Sequence, residues 1–315
     1  MRAVAGGSIA LILLSQDANK RNAGQRQDYP VTMKYSLSAK NLVCRNLENK
    51  AGYCADLLNP KQSKEITGLL RTDSGLLSTR FNQVVSNTVM QPRILQRFVV
   101  DYFAERHSPF ALWHCASKPL DDAALAELGL IRQAPMIAMA AEVKQLATDE
   151  KMPEGLEIKA VHSADELLVY GDLVAEMQNC PRETAQIKKF YRQLAELPEH
   201  KHSRLKYFLG EFQGTPAATG CLFSSADALG FYDLGTLPAY RGRGIGTTMV
   251  QHLVNEVLHS HHKHAVALVG EEQQDIWLNA GFYAVGEVAR YDFIPERGSA
   301  HIPNGETDDD DRQSA

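Results

Sequence analysis

From Lys206 onward, apolar and polar positions fall into short bursts separated by turn residues. Lys206–Phe212 and Ala217–Ser224 read as two strands around "QGTP" at 213–216, a hairpin signature. Leu229–Leu237 predicts a third strand. Two apolar rows then recur at four-residue steps: Met249, Leu253 and Val257, beside Val250, Val254 and Leu258. Together they make one face of an amphipathic helix over 247–259. Ala265–Val269 predicts a short buried strand, and Asp275–Ala280 a short helix stopped by the C-cap glycine Gly281. Val285–Phe293 closes the series, so the order is β-β-β-α-β-α-β.

Upstream, the polar stretch 144–158, with Pro153 and Gly155, reads as a connection between two folded regions. A faint repeat links them. "ALAELGLIRQAPMIAM" (124–139) matches "IWLNAGFYAVGEVARY" (276–291) when Gly129 is set on Gly281. In each, a short helix ends at Gly plus an apolar residue and an extended stretch follows, which predicts a duplicated unit.

Composition narrows the class. The 315 residues are 44% hydrophobic and 23% charged, with a formal net charge of −5. That balance argues against a nucleic-acid partner held by overall charge. Cys44, Cys54, Cys115, Cys180 and Cys221 are odd in number and form no C-x-x-C pair, which reads as reduced thiols in the cytoplasm, without a thiolate metal site. The apolar run "AVAGGSIALILL" (3–14) is too short to span a bilayer, and no small-residue cleavage site follows it. No membrane association is expected. The expected organisation is a disordered leader over 1–33, a first folded domain over 34–148, a second over 155–295, and an acidic disordered tail over 296–315 carrying Asp308–Asp311.

The candidate chemistry lies at "LPAYRGRGIGTTMV" (237–250), a glycine-rich turn between a strand and a helix. A helix N-terminus presents unpaired N–H groups and a positive dipole end. Gly242, Gly244 and Gly246 remove side chains that would hold a phosphate away, and Arg241 and Arg243 add charge at the rim. No lysine follows Gly246, so the turn is no Walker loop; the third glycine comes one residue too early for the dinucleotide fingerprint. Arg241, Gly244 and Gly246 do match the acyl-CoA pattern R/Q-x-x-G-x-G/A.

On these residues the chain resembles the GNAT superfamily of acyl-CoA-dependent N-acyltransferases. "GTLPAYRGRGIGTTMV" looks like that family's motif A and "IWLNAGFYAVGEV" like its closing segment, over about residues 155–295. "PFALWHCASKPLDDAALAELGLIRQAPMIAM" is similar to the end of a second, degenerate copy lacking R-x-x-G-x-G. The resemblance implies an α/β fold with a mixed, mostly antiparallel central sheet flanked by helices, twice in tandem. It implies acetyl-CoA as co-substrate, no metal, and transfer of the acetyl group to a primary amine of a small molecule or protein. Arg241, Gly242, Arg243, Gly244, Ile245, Gly246 and Thr247 would cradle the CoA pyrophosphate. Gly235, Thr236 and Leu237 would lie on the strand that pairs with pantetheine. The family's usual tyrosine acid is replaced by Trp277, so either Tyr283 or Tyr232 serves or the thiolate leaves without an assigned acid, and Asp233 is the first candidate base, ahead of Glu211 and Glu271. Gly270 stands near the place of a common cofactor-binding asparagine. The alternative is a non-catalytic acyl-CoA-binding regulatory module. The histidines of "HSHHKH" (259–264) read as a solvated helix end, and Cys180 in "NCPRE" as a packing residue.

Overall fold

The computed structural model describes residues 33–148, 151–178 and 180–295, leaving aside the side chains of 33–38. The expected leader up to residue 32 and the acidic tail lie outside these residues, and Met33 already belongs to the first helix. In chain order the first half holds α1 (Met33–Leu58), β1 (Lys64–Ile66), β2 (Leu69–Arg71), β3 (Gln83–Ser86), α2 (Pro92–Leu95), a π-helical turn (Gln96–Val100), α3 (Asp101–Ala104), β4 (Phe110–His114), α4 (Asp122–Glu127), β5 (Leu130–Arg132) and β6 (Met136–Glu142). The second half holds β7 (Leu156–Ala160), α5 (Ala164–Glu176), α6 (Pro181–Ala195), β8 (Leu205–Phe212), β9 (Thr215–Ser224), β10 (Leu229–Thr236), α7 (Ile245–Leu258), β11 (His264–Val269), α8 (Gln274–Asn279) and β12 (Tyr283–Phe293).

Among the described residues all twelve strands join one sheet in the order β1-β2-β3-β4-β12-β6-β11-β10-β9-β8-β7, with β5 pairing to β12. Only β3–β4 and β10–β11 are parallel; every other pairing is antiparallel. This is the mixed, mostly antiparallel sheet expected from the sequence. The elements expected after Lys206 are all present within two residues of their expected ends. The repeat is also present: α4 and α8 each run into a glycine of positive φ, Gly129 at +77° and Gly281 at +94°, before an extended segment.

The two halves exchange their closing strands. β6, from the first half, lies between β11 and β12, while β12 runs on to pair with β4 and β5. β12 has eleven residues, pairing with β6 through Tyr283–Val288, where its register shifts between Ala284 and Gly286, and with β4 through Ala289–Phe293. The sheet therefore crosses the chain boundary expected between 148 and 155.

Helices cover both faces. α7 buries Met249, Val250, Leu253, Val254 and Val257 against β9–β11, the apolar rows visible in the sequence. Each such side chain contributes roughly 1.5–3 kcal/mol. On the other face, α5 and α6 pack over β8 and β9, and α1 packs against β6, β10, β11 and β12. A capping box starts α5: the Glu166 amide donates to Ser163 Oγ at 3.2 Å, and the Ser163 amide to Glu166 Oε2 at 3.1 Å. Gly171 lets α6 close on α5; a Cβ there would lie 2.4 Å from Tyr191 Cβ. That close approach brings Tyr191 to the sheet.

Candidate active site

β10 and β11 pair in parallel for only three residues, Leu229–Phe231 against Ala265–Ala267. Beyond Phe231 they part. The register between β10 and β9 shifts between Tyr232 and Gly235, and Asp233 in this bulge has φ of +51°. A non-glycine residue there is uncommon, although aspartate is among the more tolerant types. The bulge steers β10 away from β11 and opens a fork that ends at the glycine turn.

On the α7 side of the fork lies the turn itself. Gly244 is the N-cap of α7, left-handed at φ +78°, with no side chain capping the helix. A Cβ there would meet nothing closer than Pro153 Cγ at 3.7 Å, so the approach to the first-turn amides is open. No acidic residue occupies that first turn. Arg241 folds back so that Nε donates to the Thr236 carbonyl at 3.1 Å, and burial lowers its pKa. Arg243 is exposed, its guanidinium 5.3 Å from the Phe212 ring centre. Thr236 is buried, and its hydroxyl has no partner among the described residues. Open amides at a helix start, flanking arginines and an orphaned hydroxyl on the forked strand fit the diphosphate and pantetheine arm of a coenzyme A thioester.

On the opposite side, a cavity of about 80 Å³ lies between the halves, walled by α1, the Thr79–Gln83 segment, α6 and the central strands. Tyr232 and Asp233 of β10 and Leu268 of β11 bring it to the fork. Asp233 is ion-paired to Arg80, and Tyr191 Oη donates to its other oxygen at 2.9 Å. Burial alone would push the Asp233 carboxyl up, but Arg80, Lys50 and the Tyr191 hydroxyl outweigh it and hold it below the usual carboxylate value. Burial and the same carboxylate push the Tyr191 phenol well up, so it stays a neutral donor. Lys50 lies 4.6 Å from the Tyr232 ring centre, and Tyr232 Oη donates to Asn46 Oδ1 at 2.7 Å.

The structure thus brings together Asp233, Tyr232 and the Gly235–Leu237 strand end, with the turn following through Thr247. It does not bring Tyr283 there. Tyr283 pairs with Ala140 at the level of Gly230, three strands from β10, on the order of 15 Å from Asp233 by strand geometry. Trp277 is 2% exposed and packs edge-on to Phe231 and Phe282. Glu211 pairs with Lys159 at 2.7 Å, and Glu271 is exposed. Gly270 is extended, just before the short helical turn that leads into α8. Cys180 is the N-cap of α6, and all five cysteines are unpaired. His259 and His262 bond to the Asn255 carbonyl, the Ser224 hydroxyl and the Ser225 carbonyl. Among the described residues no cluster of His, Cys, Asp or Glu is placed to hold a metal, and no helix is long and apolar enough to cross a membrane.

Sequence reasoning missed Lys50, Arg80, Tyr191 and Arg290. Their only local signal was charge or aromaticity within otherwise ordinary segments.

The comparisons with known proteins bear on this forked parallel pair and its helix-capping glycine turn. Residues 171–278 match the model of the acetyltransferase (GNAT) family. Among solved structures, a GCN5-related N-acetyltransferase from Kribbella flavida superposes with a TM-score of 0.59 at 15% identity, covering 80% of this chain and 95% of that one. A functionally unknown conserved protein from Staphylococcus epidermidis gives 0.59 at 13% identity, covering 76% and 95%. Both shares exceed either half of the chain, so the likeness in fold spans both. No curated protein matches the sequence.

Proposed function

We propose that the protein is an N-acetyltransferase that moves an acetyl group from acetyl-CoA to a primary amine by direct attack in a ternary complex. The observation that carries this reading is the fork between β10 and β11. It joins an open anion cradle at α7 on one side to a charged, partly apolar cavity on the other.

Acetyl-CoA supplies the electrophilic carbonyl carbon and a thiol leaving group. The amides of Ile245, Gly246 and Thr247, with Arg241 and Arg243, would hold its diphosphate, and β10 at Gly235–Leu237 would align the pantetheine arm. An acceptor in the cavity would present its nitrogen at the fork. The nitrogen–carbon bond forms as the carbon–sulfur bond breaks; the products are the acetamide, free CoA thiol and the proton lost from the ammonium. Of the expected proton carriers, neither Asp233 nor Tyr283 has the setting its role needs, whereas Tyr232 stands at the fork with its hydroxyl donating to Asn46. Asp233, held low and already bonded by two donors, is a weak base, and its carboxylate instead fixes Arg80 and Tyr191 at the cavity wall. Tyr283 packs against the α1 cluster and is not among the residues that wall the cavity. Proton removal is then left to water entering the cavity.

Calorimetric titration with acetyl-CoA, with pantetheine as the control lacking the diphosphate, tests the cradle. Micromolar binding that needs the diphosphate, followed by thiol release with an amine panel, is the expected outcome. Binding without thiol release for any amine would instead identify an acyl-CoA-binding regulatory module.

A further inference from the structure

The cavity's donors outnumber its acceptors. Three cations, Lys50, Arg80 and Arg290, share its wall with a single carboxylate, Asp233. Each carboxylate in the neighbourhood is already answered. Asp233 takes Arg80 and Tyr191. Asp292, behind the wall, takes Arg290 Nε at 2.9 Å and its second nitrogen at 3.2 Å. Glu183 is bonded by the Ser78 hydroxyl and, at 3.1 Å, by the Thr79 amide.

Two of the wall's donors bear on what it could hold. The Lys50 ammonium sits over the Tyr232 face with no carboxylate in ion-pair range among the described residues. Trp113, also on the wall and 6% exposed, has an indole N–H with no partner among those residues. Leaving a buried donor unmet is costly, and an anionic acceptor group relieves it more than a neutral one. The rest of the wall is hydrocarbon and aromatic, including Leu47, Phe81, Phe190 and Leu205. A cavity of about 80 Å³ is far below the roughly 300–1,000 Å³ of pockets for drug-sized ligands, so the occupant is compact.

We infer that the acceptor is a small amine that also carries a carboxylate next to an apolar body, the chemical class of an apolar α-amino acid. Lys50 receives the carboxylate, the apolar wall receives the side chain, and the amine is left pointing to the fork at Tyr232 and Leu268. This rests on the acyl-transfer reading above and narrows its substrate from any amine to this class.

The test compares amines that differ only in the carboxylate: L-alanine against ethylamine, and L-valine against 2-methylpropylamine, with a lysine-containing peptide as the protein-amine arm. Binding to the CoA-saturated full chain is measured by calorimetry, and thiol release is measured separately with acetyl-CoA. At least one carboxylated member should bind about 100-fold more tightly than its partner and than the peptide, the discrimination typical of a site with buried polar groups to satisfy. Lys50→Met should bring that preference to within about 3-fold while leaving acetyl-CoA affinity unchanged, and Lys50→Arg should restore most of it. Equal binding within both pairs, tighter binding of the decarboxylated amines or the peptide, or no binding by any of them overturns the inference. These results need only the unaltered protein. Selective, Lys50-dependent binding without thiol release would uphold the carboxylate site and overturn acyl transfer, so the two readings fail separately.

Discussion

The described residues contain two parallel strand pairs, each joined by a helical crossover, and they have opposite characters. In the first half, β3 stays paired with β4 over its full length, Gln83–Ser86 against Ala111–His114. The turn after β3 contains no glycine, and its crossover is broken into two four-residue α segments around a π turn. In the second half, β10 leaves β11 after three residues, its bulge is fixed by Asp233, and the crossover is one unbroken 14-residue helix capped by Gly244. One topology thus yields a closed seam in one place and a fork in another. The fork needs three local features together: a bulge that turns the strand, a turn without side chains, and a straight helix to aim its amides. The first half has none of them.

The comparison can be broken most severely at Arg80. Arg80→Ala leaves Asp233 buried without its cation, and a loss of about 3–5 kcal/mol is expected from urea unfolding. Adding Asp233→Asn should recover part of that loss, since the two side chains act as one unit. Gly244→Glu should act on the fork alone. It forces a left-handed φ on a side chain and sets a carboxylate before the helix amides, so acetyl-CoA affinity should fall about 100-fold or more, while an open site predicts a stability loss near 1 kcal/mol. Acid should separate the halves by a third route. The Asp233 carboxyl is depressed in the folded protein, so its contribution is fully present above the unfolded value near 3.9 and is lost as pH falls through the folded value. Melting temperature followed below about pH 4 should therefore depend on acid less steeply in Asp233→Asn. The smallest effect belongs to the closed seam. Val89→Glu, exposed in the turn after β3, should leave acetyl-CoA affinity within about twofold and stability within about 0.5 kcal/mol.

Much of the second half could be read from sequence because its signals are local. The α7 rows, the 213–216 turn and the Gly129–Gly281 correspondence each depend on spacings within a few residues. The cavity could not be read in that way. Arg80 and Asp233 are 153 positions apart, Tyr232 and Asn46 186, and no periodicity links them. α1 was missed because charged and polar residues interrupt its apolar face; Lys40 and Asn46 are themselves buried, Asn46 bonding across to Ser225 and Ala228. Asp233 was singled out by its place before the glycine turn, but its chemistry depends on partners from the other half of the chain.

The exchanged strands set a timetable for synthesis. β6 leaves the ribosome about 120 residues ahead of β11 and further still ahead of β12, its neighbours on the two sides. At roughly 5–20 residues per second, this apolar segment spends on the order of ten seconds with both edges unpaired. The N-terminal half therefore reaches its final form only after the C-terminal half exists to receive it, and a translational pause after Glu142 would lengthen the interval in which chaperones or aggregation compete for that strand.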